Sequence, residues 1–167
     1  AHWIHAIRYN MNMTVLLHDN HIYGLTKKQA SPTSPIGTKS NTTPRGSYLD
    51  ALSPLTVTLG VQNVSFVAQA VDWIPESLFQ ILTAAYRHRG FSFVRILQRC
   101  PEFVGNMFEP WLHDPQRMLM LTHADGIRVS PALQRIYRNQ LPHDPADINR
   151  AREIASVRFT ASERFEE

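Results

Sequence analysis

The sequence lacks most of the features that would commit it to an exported, membrane or nucleic-acid-binding protein. One cysteine in 167 residues excludes an internal disulfide framework and fits a reducing compartment, so a cytoplasmic location is expected. No apolar stretch approaches the roughly 18 residues that a membrane span requires, and no secretory leader is visible. Charge is modest, with 17 Lys+Arg against 14 Asp+Glu giving a net +3, and the basic residues are scattered. Nucleic-acid surfaces are marked by clustered Lys and Arg, so neither nucleic acid nor membrane is expected as a partner. Glycine-rich phosphate loops of the GxGxxG or GKS/GKT kind are missing as well, which leaves a generic nucleotide-binding domain unsupported.

What is present is globular. Apolar residues make up 43% and charged residues 19% of the chain, enough apolar content to fill a core and too little charge for a disordered segment. The length is that of one domain. The chain opens at Ala1 in what reads as the middle of a helix, with Trp3, Ile4, Ile7 and Arg8 at helical spacing. That start suggests a fragment or a processed product.

The most informative stretch runs from Met13 to Pro35. Met13, Thr14, Val15, Leu16 and Leu17 form a continuous apolar run that ends in His18-Asp19-Asn20. Such a run, bounded by turn residues, reads as a strand buried on both faces of a parallel sheet. Ligands of open parallel sheets bind beyond the carboxyl ends of the strands, which is where Asp19, Asn20, Thr26 and Lys27 would lie. Oxygen donors there suit Mg²⁺, which shares its shell with substrate phosphates. The same residues also fit an ordinary strand exit capped by Asx turns.

Farther along, residues 30–48 are rich in Pro, Ser, Thr and Gly without periodicity, which alone describes a flexible linker; long loops inside compact domains are more often functional. Asp50 is expected to N-cap a helix ending at Gly60. Residues 64–70 alternate as a strand. Pro75 opens an amphipathic helix with Leu78, Ile81, Leu82, Ala85 and Tyr86 on one face and Gly90 as its stop. Residues 91–98 form the next strand. Strand, helix, strand, helix, strand implies βαβ crossovers and an α/β fold with a parallel sheet and helices on both faces. Beyond residue 101, Asp114-Pro115, Ser130-Pro131 and Asp144-Pro145 each read as a cap followed by proline at N1. The first of these helices would carry Met118, Leu119 and Leu121. The histidines and acids of this region, Asp125 among them, read as caps and surface groups rather than metal ligands. Cys100 on its own reads as an inert, buried small residue.

HDNHIYGLTKKQASPTSPIGTKSNTTP (18–44) resembles the thiamine-diphosphate (TPP) loop of the β subunits of 2-oxoacid:ferredoxin oxidoreductases. That loop has DN, then YGLT, Gly or Lys, GQ, SPT, a Pro and Gly, and finally TTP. The similarity continues through HRGFSFVRILQRCPEF, THADGIRV and LPHDPADINRAREIA. It implies a TPP-binding fold that is incomplete at its N-terminus, with residues 1–110 belonging to the TPP-binding α/β domain and 111–167 to a helical extension. It also implies that Asn20 and the Ile22 backbone carbonyl ligate Mg²⁺, and that Tyr23, Gly24, Leu25 and Thr26 wrap the diphosphate. Lys27 would meet substrate, the lysine resembling enzymes for dicarboxylic 2-oxoacids such as 2-oxoglutarate. Cys100 would be one ligand of a 4Fe–4S cluster whose other ligands, with a Gly-Asp-Gly-Asp Mg²⁺ motif, belong to a preceding region.

The implied activity is oxidative decarboxylation of a 2-oxoacid to an acyl-CoA, with electrons passed to ferredoxin. The implied partners are the α subunit, ferredoxin, the 2-oxoacid and coenzyme A. No catalytic base is visible in this chain; the resemblance puts the group facing the aminopyrimidine on the other subunit. Two departures stand out. Lys28 replaces a glycine, and a lysine would be strained there if the backbone φ is positive. RFTASERFEE (158–167) replaces the family's last strand. An acetolactate-synthase-type TPP enzyme, and a non-catalytic remnant or assembly subunit of the same fold, are the alternatives.

Overall fold

The computed structural model describes residues 2–124 and 127–156. In chain order, α1 (His2–Arg8) leads into β1 (Met13–Asp19), followed by the two-residue strands β2 (Ile22–Tyr23) and β3 (Gln29–Ala30). After a long loop come α2 (Pro54–Leu59), β4 (Phe66–Val71), α3 (Pro75–Arg87) and β5 (Phe91–Leu97). The last part holds α4 (Glu109–His113), β6 (Met120–Thr122), α5 (Pro131–Ile136), β7 (Gln140–Pro142) and α6 (Ile148–Ser156). The strands β1, β5 and β4 form a parallel sheet in that order.

The sheet works as the alternation of its side chains requires. On one face Ala70, Val94 and Ile96 pack under Leu78, Ile81, Leu82 and Ala85 of α3. On the other, Phe91 and Phe93 meet Trp3, Ala6 and Ile7 of α1 and Leu55 of α2, joined by Val15, Leu17 and Val67. Each large apolar side chain buried this way contributes about 1.5–3 kcal/mol. Helices on both faces of a parallel sheet are what the sequence implied.

The central strand is β5, not β1. In β1 only the side facing α1 is covered, and Thr14, Leu16 and His18 are exposed. The expectation of a β1 buried on both faces is corrected, because α3 packs over β4 and β5 and meets β1 at its edge, where the Thr14 hydroxyl donates to the Ala85 carbonyl at 3.4 Å. Ser53, rather than Asp50, caps α2, accepting from Thr56 N–H at 3.3 Å. Pro54 at N1 holds Ser53 extended and so fixes the helix start at Pro54, three residues later than a cap at Asp50 would place it. Tyr86, expected on the buried stripe of α3, is 85% exposed. The stop after α3 is as expected: Gly90 has φ +126, and a Cβ there would lie 2.5 Å from Asn10 Oδ1. That oxygen accepts the Phe91 N–H at 2.8 Å, so it cannot easily move.

Asp114-Pro115 does not start an α-helix. It forms a 3-10 turn, Pro115–Arg117, and the following apolar residues enter β6. Pairing with β7, invisible to local periodicity, wins over the cap signal. Ser130 caps α5 as expected, accepting from Leu133 N–H. Asp144-Pro145 makes only a turn before α6, where Asp147 accepts the Arg150 N–H at 2.9 Å. A third core of Val71, Ile74 and Tyr137, with Trp73, Leu97, Met118, Met120 and Leu133, fastens this region to the sheet. The RFTASERFEE segment and Asp125 lie outside the described residues. No helix among the described residues is long and apolar enough to cross a membrane.

Candidate functional site

The carboxyl ends of β1 and β5 meet at one buried charge. Asp19 is 4% exposed, and its Oδ2 accepts from Arg95 through Nη2 at 2.6 Å and Nε at 2.8 Å. Its Oδ1 accepts from Thr33 Oγ1 at 2.6 Å and from His21 N–H at 3.1 Å. Burial alone pushes the carboxyl up, but the Thr33 hydroxyl, the Arg95 guanidinium and His21 together hold it below its ordinary value. Asp19 is therefore a structural anchor rather than a free ligand. His21 Nδ1 lies 2.6 Å from the Thr33 carbonyl, so that nitrogen carries the hydrogen. Burial pulls the His21 pKa down against the opposing pull of Asp19 and the Thr33 carbonyl, and the ring is neutral at pH 7.

One residue on, Asn20 Oδ1 accepts the Ile22 N–H at 3.1 Å and its Nδ2 donates to Gln98 Oε1 at 3.4 Å. The side-chain oxygen faces the loop with a lone pair to spare, and Gln98 of the β5 exit fixes its amide. Ile22 is buried and pairs with Ala30 across the β2–β3 hairpin. Tyr23, Leu25, Thr26 and Lys27 are exposed, Leu25 completely. Thr26 Oγ1 donates to Gln29 Oε1 at 2.8 Å, so its hydrogen is held within the turn. Lys27 N–H donates to the Gly24 carbonyl at 3.0 Å. Lys27 and Lys28 both have left-handed backbones, with φ of 65° and 63°. The positive φ at Lys28 is the strain that its replacement of glycine implied.

The hydroxyl-rich loop that follows is tied rather than loose. Ser34 Oγ accepts the Ser31 N–H at 2.8 Å and donates to the His21 carbonyl at 2.5 Å. The Ala30 N–H reaches both Ser40 Oγ and Thr42 Oγ1 at 3.1 Å. Ser40 and Thr43 exchange backbone hydrogen bonds, as do the strands of chain around Gly37 and Ser47. Gly46, at φ +99, lets the chain cross within 3.1 Å of the Gly37 carbonyl measured from an added Cβ. Residues 30–48 are therefore a hydrogen-bonded brace behind the β2–β3 turn.

Cys100 sits where β5 leaves the sheet, half-buried and unpaired. Its neighbour Arg99 is fixed to Asp72 through both main chain and guanidinium, at 3.0 and 2.9 Å. A Cβ added to Gly24 would lie 3.5 Å from Cys100 Sγ and 3.8 Å from Phe103. The YGLT turn thus packs directly on the thiol. Asn20, Ile22, Gly24 and Cys100 come together at one sheet edge, whereas Leu25, Thr26 and Lys27 project from it.

Sequence spacing missed Arg95, Thr33, Gln98 and Asn41, which build this edge. One signal was available: Arg95 is a lone charge inside an otherwise buried strand, a residue that requires a partner. Among the described residues no three His, Cys, Asp or Glu side chains gather as a metal site. The oxygen donors at the edge are instead an amide and main-chain carbonyls, the set that fits Mg²⁺ when a diphosphate completes the shell. A 4Fe–4S cluster does not fit the residues present, because the single cysteine of this sequence supplies one thiolate of four.

A parallel sheet whose carboxyl edge carries a side-chain amide and a hydrogen-bonded, braced turn fits a cofactor-binding α/β domain of the TPP kind. The thiamine pyrophosphate enzyme family, C-terminal TPP binding domain, matches residues 1–96, and the chain belongs to that family. Among curated relatives it is similar to the 2-oxoglutarate oxidoreductase subunit KorB of Mycobacterium tuberculosis, 41% identical over 75% of this chain and 34% of the relative. A 2-oxoacid:ferredoxin oxidoreductase subunit beta from Sulfolobus is 37% identical over 66% of this chain and 36% of the relative. Among solved structures, a 2-oxoglutarate:ferredoxin oxidoreductase from Magnetococcus marinus superposes with a TM-score of 0.72 at 31% identity. That structure holds 2-oxoglutarate, coenzyme A and succinyl-CoA, and the match covers 94% of this chain and 47% of that one. The chain spans about a third to a half of the length of these relatives. The resemblance read from the 18–44 loop is borne out.

Proposed function

We propose that this chain is the TPP-binding part of a 2-oxoacid:ferredoxin oxidoreductase β subunit, working in a complex that converts 2-oxoglutarate to an acyl-CoA and delivers electrons to ferredoxin. The observation that carries this reading is the packing of the Gly24 turn on Cys100 beside Asn20, at the sheet edge where the family match and the carboxyl ends coincide. Bound there, thiamine diphosphate supplies the electron sink for decarboxylation. The chain's own residues would bind and orient it. Asn20 Oδ1 and the Ile22 carbonyl ligate Mg²⁺, and Tyr23, Gly24, Leu25 and Thr26 enclose the diphosphate. The Thr26 hydroxyl must leave Gln29 to donate to a phosphate oxygen. Lys27 takes the distal carboxylate of the substrate through a charge-assisted contact, and Cys100 would supply one thiolate to a cluster only where three further cysteines, which this sequence does not contain, complete it. Residues 30–48 would lie near the α subunit, and residues 111–167 would act as an extension of the 1–110 domain.

The test is TPP binding to the native complex with and without Mg²⁺. Asn20→Ala should weaken Mg²⁺-dependent TPP affinity by at least roughly tenfold to a hundredfold, the loss typical of residues that only support a metal's ligands. Unchanged affinity removes the metal assignment. A native complex that binds no TPP at all would make the subunit a non-catalytic member of the fold.

A further inference from the structure

We infer that Asn41 is a positioning residue that sets substrate preference by holding Lys28, and through it Lys27, in the left-handed turn. The inference rests on the reading of Lys27 as the group that meets the distal carboxylate. Asn41 grips the two carbonyls on either side of the Lys28 Cα. Its side-chain Nδ2 donates to the Lys27 carbonyl, and its backbone N–H donates to the Lys28 carbonyl at 2.9 Å. Fixing both carbonyls fixes φ and ψ of the residue between them. That residue is a lysine at φ 63°, preceded by another at φ 65°, a conformation that L-residues with a Cβ adopt only under restraint.

The restraint is itself anchored. Flanking Asn41, the Ser40 and Thr42 hydroxyls accept the Ala30 N–H at the end of the same turn, and Ser40 bonds Thr43 Oγ1 at 2.8 Å. The Lys27 N–H is closed onto the Gly24 carbonyl at 3.0 Å. The chain from Gly24 to Gln29 is therefore held at both ends and in the middle, and the direction in which Lys27 leaves it depends on Asn41. Neither lysine ammonium is in an ion pair among the described residues, so nothing else aims them. Loss of the grip frees the turn to relax to negative φ, which redirects the Lys27 side chain without removing its charge.

The experiment uses the native oxidoreductase complex with four variants, Asn41→Ala, Lys28→Gly, their combination, and Lys27→Ala. Steady-state kinetics with 2-oxoglutarate and with pyruvate give KM and kcat, and thermal unfolding of the apo complex gives Tm. Asn41→Ala should raise KM for 2-oxoglutarate about tenfold, the factor that one ordinary net hydrogen bond supports, with less than a twofold change in kcat or in KM for pyruvate. It should lower Tm more when residue 28 is lysine than when residue 28 is glycine, which needs no restraint at positive φ. Lys28→Gly should likewise restore part of the 2-oxoglutarate KM lost in Asn41→Ala. If Lys27→Ala shifts the preference between the two substrates and Asn41→Ala does not, the role of Asn41 is overturned while that of Lys27 stands. If Lys27→Ala leaves the preference unaltered, both fall. An equal Tm loss on Asn41→Ala with and without the Lys28→Gly change also overturns the inference, since Asn41 would then stabilise something other than the strained turn.

Discussion

Asp19→Ala is the perturbation whose consequences the structure specifies most fully. The carboxylate is nearly inaccessible, and it satisfies four donors at once: two from Arg95, the Thr33 hydroxyl and the His21 N–H. Truncation leaves the Arg95 guanidinium 13% exposed with only Gln69 Oε1, at 3.2 Å, as a side-chain partner. Removing one member of a buried pair costs about 3–5 kcal/mol, because the other is left charged and unpaired. The Gln69 contact and the residual exposure of Arg95 put the expected loss near the lower end, about 3 kcal/mol. Urea unfolding followed by circular dichroism measures it. Replacing both residues, Asp19→Ala with Arg95→Met, should recover part of the loss and give a coupling of about 2 kcal/mol. A single-variant loss below about 1 kcal/mol, the range of surface pairs, would refute the account of this pair as the anchor of the sheet edge.

The same group predicts a pH dependence with a definite sign. The folded Asp19 pKa is depressed below the ordinary 3.8, so in acid the unfolded chain takes up the proton first. The stability from this shift is complete above 3.8 and is lost as pH falls through the folded value. His21 is also depressed, below 6.5, so its contribution begins to be lost on acidification at about pH 6.5, well before that of Asp19. Asp19→Asn should abolish the lower limb and leave the upper one. If the upper limb vanished with Asp19→Asn, the neutral state of the buried His21 would be the wrong explanation for it.

Two further substitutions test the packing that presents the site. Gly90→Ala should destabilise the protein by roughly 1–3 kcal/mol, because φ is +126 and the new Cβ would meet Asn10 Oδ1 at 2.5 Å; an unchanged urea midpoint would mean that Asn10 moves freely. Tyr137→Phe should remove an alkaline loss of stability. Burial raises the Tyr137 pKa above 10.0, so the unfolded chain ionises first and stability falls as pH climbs past 10.0. An identical alkaline limb in the variant would assign it to other groups.

The strands that carry the site were readable in the sequence because their apolar content is local. FSFVRIL and the helix opened by Pro75 declare themselves by run length, period and proline at N1, and they appear at those places. Burial on the second face was not readable. MTVLL has the composition of an interior strand, but whether its outer side is covered depends on how far α3 reaches, and no residue of β1 encodes that. The same limit put Met120 and Leu121, expected in a helix, into β6. A three-residue strand has no period of its own and exists only because Gln140–Pro142 lies beside it. Residues 30–48 failed in the opposite direction. Serine and threonine are as common in linkers as in hydroxyl-capped turns, and only the pairing of Ser34 with His21 and of Ser40 with Ala30 distinguishes the two.

The candidate site divides along the same line. Its contiguous half, Asn20 through Lys28, was legible because a motif is a local object. Its other half arrives from β5 and the later loop, and these residues decide whether the motif has a geometry at all. Asn20 faces the loop because Gln98, 78 residues away, holds its amide. The exit of β1 is fixed because Arg95 crosses to Asp19, and the turn over Cys100 is shaped because Asn41 brackets Lys28. Arg95 and Gln98 are half-buried polar residues, in positions where polarity costs stability unless it is matched, whereas Asn41 is exposed and acts through its two hydrogen bonds alone. Arg95 inside an apolar strand was the one mismatch visible beforehand, and it points to the anchor of the site. A search of such sequences for lone charges inside buried strands, paired with acids at strand ends, would therefore find the supporting residues that a motif alone omits.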